Sequence, residues 1–412
     1  MSGIMLFNSA WDAAAHLQGT SPVRGYARES LSSGMARGAA VGYFRRALGF
    51  SGQDLIMAIG SRLSLFSLDT TGMRMTHVCS TPVFSHILGV ECLRATANHT
   101  RHMSSRSGSD RNDQNDLCVV MEESGQLAVL SVERVGDRYR FRTVEQTQVL
   151  GDLVDQVESL MLHKVLVDPL ARMVVPVPWT DHIEIIFVGQ NYGGLGSIRE
   201  GDRLYGPRVS IDIDGAICDA AILSPLQTEL RRALLVAAVV ERARNHVVLH
   251  LYESWALDSS DKPSVSLAAK LPLPYSMSLP MYIVPLPDHH ECFLLITESE
   301  IAFVSAQQIL SGDVNLYFQP VPRLANEVPD LVRAYCVAGT VEIARTHLFG
   351  ESRRSSEPAI GGTQTAQNVY IATQSGALHC VRTTVRPFIS ITRVESRHGG
   401  GPVGSALPAT AV

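Results

Sequence analysis

The densest set of side chains able to bind a metal is the run His289-His290-Glu291-Cys292. Imidazole, carboxylate and thiolate groups are the ligands that zinc takes in proteins. Successive side chains of a β-strand point to opposite faces, so these four residues cannot converge on one ion without a distorted backbone. The run therefore predicts a turn that enters a strand, and we expect no metal site.

Two other segments match ion-binding or phosphate-binding loops only in part. Asp212-Ile213-Asp214-Gly215 resembles part of a calcium-binding loop. If Gly215 is aligned with the invariant glycine at position 6 of that loop, Ser210 occupies position 1 and Ala221 occupies position 12. The acidic residue that binds calcium through both oxygens at position 12 is therefore missing. The run from Gly189 to Gly196 lacks GxGxxG spacing, and no amphipathic helix follows to direct its N-terminus at a phosphate. We expect a turn and a loop between strands, and no cofactor.

Neither nucleophilic catalysis nor polyanion binding is favoured. The chain has no GxSxG elbow and no cysteine beside a convincing histidine partner in sequence. The formal net charge is −5, and the basic residues form isolated doublets, typical of a solvated surface: Arg45-Arg46, Arg231-Arg232 (with Arg242 and Arg244 nearby) and Arg353-Arg354. We assign no catalytic residue and do not expect direct contact with nucleic acid.

The elements that would position any such residue are β-hairpins. Six times an apolar run, a short polar turn and a second, alternating apolar run follow one another: Leu55–Leu68, Leu117–Val132, Met173–Val188, Leu234–Tyr252, Cys292–Ser305 and Val369–Arg382. A recurring hairpin cannot bury its own apolar faces, so neighbouring copies must pack on one another. The nearly continuous apolar runs are typical of strands covered on both faces. The pattern favours an all-β, WD40-like β-propeller over a β-sandwich or several small β domains.

The composition also predicts the domain layout. Residues 1–39 are an irregular leader, residues 40–396 form the propeller, and residues 397–412 are a flexible tail. Two segments poor in packing residues, 97–116 and 350–367, are expected to be disordered loop insertions. At roughly 50 residues per repeat the body gives seven blades, with a further strand expected at Ala334–Ala344.

The compartment follows from the termini and the cysteines. The N-terminus has no basic residue ahead of a long apolar core, and no apolar run approaches the roughly 20 residues of a spanning helix, so we expect neither a secretory signal nor a membrane partner. Seven scattered cysteines without a CxxC pair are typical of reduced core residues. The chain is predicted to be a soluble intracellular protein.

Short motifs resemble a known family. Asp168, Pro169 and Arg172 lie between two apolar strands, and Glu123–Leu127 and Gln374–Leu378 share a turn-Gly-x-Leu strand start. This order is similar to that of the first propeller in the family comprising the large damaged-DNA-binding subunit, the methyl-methanesulfonate-sensitivity protein, the large cleavage-and-polyadenylation subunit and the large propeller subunit of the U2-associated splicing factor. The likeness spans residues 40–395.

The resemblance implies a non-enzymatic scaffold that binds protein subunits of a nuclear complex. DNA repair with ubiquitin ligation, and splicing or 3′-end processing, remain open as pathways. Because the family has three propellers and its first borrows closing strand material from far downstream, a lone copy is expected to close incompletely, as a truncated gene model or a short paralogue would. The blade loops Pro178–His182 and Arg242–Asn245 are hypothetical partner contacts. The enzymatic alternative is a propeller acting on a glycan or small polar substrate, which needs paired carboxylates and an arginine cluster in its channel.

Overall fold

The computed structural model contains six four-stranded antiparallel sheets, each a meander of consecutive strands. It describes residues 36–50, 52–69, 74–83, 85–95, 115–149, 164–177, 182–188, 203–225, 232–241, 246–255, 263–274, 282–287, 289–297, 300–313, 316–321, 332–343, 364–373, 377–384 and 388–393. We number the sheets as blades 1 to 6 in chain order.

Blade 1 contains β1 (Ala36–Gly42), β2 (Gln53–Ile59), β3 (Arg62–Asp69) and β4 (Arg74–Pro82). Blade 2 contains β5 (Ile87–Leu93), β6 (Leu117–Glu122), β7 (Gln126–Val135) and β8 (Arg138–Gln148). Blade 3 contains β9 (Lys164–Val167), β10 (Met173–Val177), β11 (His182–Val188) and β12 (Tyr205–Asp212). Blade 4 contains β13 (Gly215–Leu223), β14 (Arg232–Glu241), β15 (Val247–Trp255) and β16 (Ser264–Pro272). Blade 5 contains β17 (Tyr282–Pro285), β18 (Cys292–Ile296), β19 (Glu300–Ser305), a short helix α1 (Ala306–Ser311) and β20 (Phe318–Pro320). Blade 6 contains β21 (Val332–Ile343), β22 (Gln364–Thr373), β23 (Leu378–Thr384) and β24 (Phe388–Arg393).

The two middle strands of each blade coincide with the six sequence hairpins. Strand β14 shows why these segments form strands: its run RALLVAAVVE has no turn residue, and seven consecutive side chains from Ala233 to Val239 are buried. A strand buried on both faces gains from burying every side chain, so it needs no polar alternation. The outer strand β8 alternates exposed and half-buried positions over most of its length instead, because only one of its faces packs on a neighbour.

The blades are arranged around an axis lined by their first strands. Strand β5 contacts both β1 and β9, and β13 contacts both β9 and β17. Five apolar clusters fill the junctions from blade 1 to blade 6, one for each consecutive pair. In the cluster between blades 4 and 5, Val236 and Leu249 pack with Phe293 and Leu295, all fully buried. The architecture is the predicted all-β propeller.

The predicted number of blades was wrong, because the described residues form six sheets and not seven. The described sheets extend from residue 36 to residue 393, so each takes about 60 residues and not the roughly 50 assumed. The surplus lies in connections inside blades, such as residues 94–116 between β5 and β6 and residues 344–363 between β21 and β22. The further strand expected at Ala334–Ala344 is β21, which pairs with β22 and so belongs to blade 6.

The predicted leader, insertions and tail fall mostly outside the described residues. Strand β1 begins at Ala36, inside the stretch predicted as leader. Asp116, at the end of the first predicted insertion, is buried, and residues 364–367, at the end of the second, belong to β22. Within the described part of the chain, no helix is long and apolar enough to cross a membrane.

Candidate functional site

A polar cluster lies on the innermost strands, where side chains from different blades meet. Its centre is Asp219 of β13, which is 3% exposed in its side chain. One carboxylate oxygen, Oδ1, lies 2.5 Å from the Lys164 Nζ atom of β9. The other, Oδ2, accepts a hydrogen bond of 2.7 Å from the backbone N–H of Ile283 in β17. One side chain therefore ties blades 3, 4 and 5 together.

Blades 2, 5 and 6 complete the cluster. The rings of Tyr282 and Tyr335, from β17 and β21, pack edge to face with centroids 5.8 Å apart. The Glu91 side chain of β5 is partly accessible to solvent, but protein atoms surround most of it. This burial raises the pKa of Glu91 to about 7, although the positive charge of Lys164 has the opposite effect. Glu91, Lys164 and Asp219 thus sit one to a blade on β5, β9 and β13.

Lysine 164 stays charged because of its neighbours. Enclosure by protein lowers the pKa of the Lys164 ammonium group, but Asp219, Tyr335 and Glu91 together outweigh that effect and hold this pKa above its ordinary value. The pKa of Tyr335 is also raised: attraction to Lys164 lowers it, but burial and the two carboxylates act in the opposite direction and prevail. The lysine is therefore a fixed cation and a poor nucleophile.

The cluster is better suited to holding blades together than to hydrolysis. A glycosidase of the usual kind needs two carboxyl groups free to act on the substrate. Both oxygens of Asp219 are already bonded, to Lys164 and to Ile283, so the cluster does not present two free carboxylates. The described residues contain no group of three or more His, Cys, Asp or Glu side chains placed to hold a metal ion.

The Asp-Pro motif forms a second tie, at the junction of blades 3 and 4. Arg172 donates to Asp168 through Nε at 2.7 Å and through a terminal nitrogen at 2.8 Å, and both side chains are buried. The turn brings them together because the Ala171 N–H donates to the Asp168 carbonyl at 2.7 Å and Ala171 has φ +56°. The other terminal nitrogen of Arg172 donates to the carbonyl of Arg232 in blade 4 at 3.3 Å.

Buried or half-buried carboxylates make similar ties elsewhere. Asp116 accepts backbone hydrogen bonds from Tyr43, next to blade 1, and from Ala95, next to β5, each of 2.8 Å. Glu145 of β8 accepts one of 2.6 Å from Leu204, which precedes β12 in blade 3. Bonds from a carboxylate to backbone N–H groups are charge-assisted and stronger than neutral ones. They fix the angle between neighbouring blades.

The structure also places the predicted chemical motifs. The residues His289, His290 and Glu291 lie in the turn before β18, and Glu291 forms an ion pair with Arg232 of blade 4. The calcium-like run ends β12 at Asp212 and begins β13 at Gly215, with a two-residue turn between. The glycine-rich run 189–196 lies outside the described residues.

The described members of the basic doublets make separate local contacts. Arg45 forms a buried ion pair of 2.7 Å with Asp54, and its guanidinium lies over the Phe50 ring at 4.0 Å. Arg46 lies over Tyr43 at 4.0 Å. The remaining doublet residues, Arg231, Arg353 and Arg354, the nearby Arg242 and Arg244, and the proposed contact loops 178–181 and 242–245 lie outside the described residues.

A basic feature that the sequence reasoning overlooked is on β8. Arg138, Arg140 and Arg142 are exposed at every second position of this outer strand. The signal was readable as the alternating run RYRFR, but it contains no adjacent pair of arginines. A search for doublets misses it, because side chains on one face of a strand recur with a period of two.

Six cysteines can be described, and all six are free thiols. Cys92 and Cys118 occupy opposing positions on β5 and β6, and burial raises the pKa of each well above its ordinary value. Thiols with raised pKa values react slowly. Cys118 belongs to the apolar cluster between blades 1 and 2, and Cys92 packs against that cluster.

Six sheets around one axis, joined by apolar clusters and by buried carboxylates that bond to the neighbouring blades, define a β-propeller. The chain matches the model of the RSE1/DDB1/CPSF1 first beta-propeller over residues 37–385. It belongs to that family, as the sequence motifs indicated. Propellers of this family are generally non-enzymatic scaffold domains that bind other proteins. No curated protein matches the chain at a significant level.

Proposed function

We propose that this protein is a non-enzymatic scaffold in a nuclear assembly, where it binds protein subunits of a complex for DNA repair and ubiquitin ligation or for pre-mRNA splicing and 3′-end processing. The observation that carries the proposal is the family match over residues 37–385. The nuclear location and the choice of pathways follow from the family resemblance.

The geometry of the ring supports this role. Loops on a rigid frame lose less conformational entropy when they bind than loops on a mobile one. Here buried polar bonds hold the blades together. The ion pair of Asp219 with Lys164 joins blades 4 and 3. Arg172, which is paired with Asp168 in the turn of blade 3, also bonds to blade 4. A partner can therefore contact several blades at once on surfaces whose relative positions do not change.

The test is affinity purification of the tagged full chain from its native cells, followed by mass spectrometry. Recovery of a cullin-type ligase or repair factors assigns it to the damage-response branch, and recovery of splicing or polyadenylation subunits assigns it to the RNA branch. Imaging of the tagged chain tests the nuclear location. Purification without any partner, or an exclusively cytoplasmic signal, contradicts the proposal.

A second test uses the variant Asp219→Asn, provided that it folds, because this substitution weakens one of the bonds between blades. A scaffold that depends on fixed angles between blades should lose partners that span blades 3 to 5, in step with its loss of stability. Equal recovery of all partners by a measurably loosened ring would show that rigidity does not contribute to binding.

A further inference from the structure

The hairpin of β7 and β8 extends beyond the rest of blade 2. Strand β6 pairs with β7 only over residues 127–130, whereas β7 and β8 remain paired out to Val135 and Arg138. The loop has two residues, Gly136 and Asp137, and Gly136 has φ +61°. Glycine at the first loop position with positive φ is typical of a tight type II′ hairpin. The outer part of this hairpin is a two-stranded ribbon.

One face of the ribbon packs against the apolar core, and the other face is exposed to solvent. Val132, Tyr139 and Phe141 pack into the apolar cluster between blades 1 and 2. The Arg45 guanidinium lies 4.9 Å from the Tyr139 ring centroid and fixes this face further. The opposite face carries Arg138, Arg140 and Arg142, which are exposed.

The outer edge of β8 has backbone groups that point away from the blade. In a two-residue hairpin the residues that flank the loop form a hydrogen-bonded pair, here Val135 with Arg138. Because such pairs alternate along an antiparallel ladder, the backbone groups of the three arginines point to β7. Those of Tyr139, Phe141 and Thr143 point outward, and no described strand pairs with that edge.

The other described outer strands are shorter or carry features that block pairing. Strand β12 contains Pro207, β4 and β16 are bulged and end in Pro82 and Pro272, β20 has three residues, and β24 has six. Proline and bulges are the usual devices that prevent an exposed edge from pairing. Strand β8 has eleven residues and no proline. It has a bulge of the same kind opposite Val129 and Leu130, but this bulge lies beyond Thr143 and leaves residues 138–143 regularly paired.

The charges on this edge are not balanced within the ribbon. Glu133 lies 2.5 Å from Arg140 and 3.6 Å from Arg142, so one carboxylate serves two arginines. Arg138 forms no ion pair with a described residue. Positive charge in excess on an acidic chain of net charge −5 favours an acidic partner.

The chemistry of the edge selects a peptide. Outward C=O groups need donors and outward N–H groups need acceptors, and an extended peptide supplies both in alternation. A phosphate backbone supplies acceptors alone. The spacing of the arginines also equals the side-chain period of an added strand, so acidic residues at alternate positions would lie beside them.

We propose that the edge of β8 over residues 138–143 binds an extended acidic segment of a partner protein as a fifth strand of blade 2. Carboxylates at alternate positions of that segment pair with the arginines, and its backbone bonds to Tyr139, Phe141 and Thr143. The proposal rests on the scaffold function and specifies one of its contact surfaces.

The direct test uses the full chain and a fluorescent probe peptide of sequence Thr-Glu-Val-Glu-Thr-Glu-Val-Glu-Thr, measured by anisotropy at low salt. Reversal of two charges, Arg138→Glu with Arg142→Glu, should weaken binding roughly tenfold or more, since each reversal turns an attractive cross-strand pair into a repulsive one. Thr143→Pro should also weaken binding, because it removes an outward N–H without breaking the ladder to β7. The matched control, Arg74→Glu with Arg203→Glu, changes two exposed arginines elsewhere and should bind like the wild type.

Hydrogen exchange with the bound probe should protect the amides of Tyr139, Phe141 and Thr143. Protection elsewhere, or equal affinity of the β8 variants and the control, overturns the proposal. The proposal is also overturned if a single-stranded oligonucleotide binds more tightly than the probe peptide, and if that binding is lost in the Arg138→Glu, Arg142→Glu variant but unchanged in Thr143→Pro. Circular dichroism of each variant shows whether it is folded.

Co-purification separates the two proposals. If the β8 variants recover every partner of the wild type and the probe does not bind, the edge assignment is wrong and the scaffold function stands. If the probe binds as expected and the wild-type chain recovers no partner from cells, the scaffold function is wrong and the edge remains a peptide-binding site.

Discussion

Replacement of Asp219 by asparagine should loosen three blades at once. The asparagine can still accept the hydrogen bond from the N–H of Ile283, but it has no charge to offer Lys164, which lies 2.5 Å away in the native protein. Removing one member of a fully buried ion pair costs about 3–5 kcal/mol, because the other charge remains in the interior without a partner. The Lys164 side chain is 25% exposed, so water recovers part of this energy. We expect a loss of about 2 kcal/mol in the free energy of unfolding.

The assay is urea unfolding at pH 7, followed by far-ultraviolet circular dichroism, for the wild type, Asp219→Asn, Lys164→Met and the double variant. Since the two side chains contact each other, the double variant should lose less than the single losses combined, by about 1 kcal/mol or more. Arg140→Gln removes an exposed pair with Glu133 and should cost less than about 1 kcal/mol. Additive losses at Lys164 and Asp219, or an Asp219→Asn midpoint equal to that of the wild type, would refute the reasoning.

Three further predictions concern other ionisable groups. Arg172→Met should cost about 3 kcal/mol or more in urea unfolding, because it leaves the buried Asp168 carboxylate without its partner; a loss below about 1 kcal/mol would contradict this. The pKa of Glu91 is raised to about 7 in the folded state, so ionisation of its carboxyl group opposes folding. The free energy of unfolding of the wild type should therefore fall relative to that of Glu91→Gln as the pH rises from about 4.5 to about 7. If the two free energies vary with pH in parallel, this prediction is wrong. Burial is the main reason that the pKa of His250 is lowered to about 4, so between about pH 4 and pH 6.5 the unfolded chain binds a proton at His250 that the folded protein does not. The free energy of unfolding of the wild type should therefore fall relative to that of His250→Phe as the pH falls from 6.5 to about 4. A difference in stability that stays constant over this pH range would contradict this prediction.

Much of the fold could be predicted from local sequence, and the hairpins show why. Each of the six runs contains two apolar strands and a turn, and all of this information lies within some 20 consecutive residues. The number of blades could not be read in the same way. It depends on how much of the chain between hairpins belongs to strands, and connections such as residues 94–116 have no fixed length.

The site was less predictable than the fold. Glu91, Lys164 and Asp219 are each more than 50 residues apart in sequence, and none belongs to a recognisable motif. They meet because the first strand of every blade faces the same axis. The arginines of β8 are an intermediate case, since their alternation is visible in sequence but the free edge beside them is not.

The sequence by itself determined the strands, the all-β class and the family, because apolar alternation, turn residues and the Asp168-Pro169 turn act over short distances in the chain. Only the tertiary structure decided the number of blades, the tie of Asp219 to Lys164 and Ile283, and the unpaired edge of β8. Those features depend on which strands become neighbours, and that is set by the packing of whole sheets against one another.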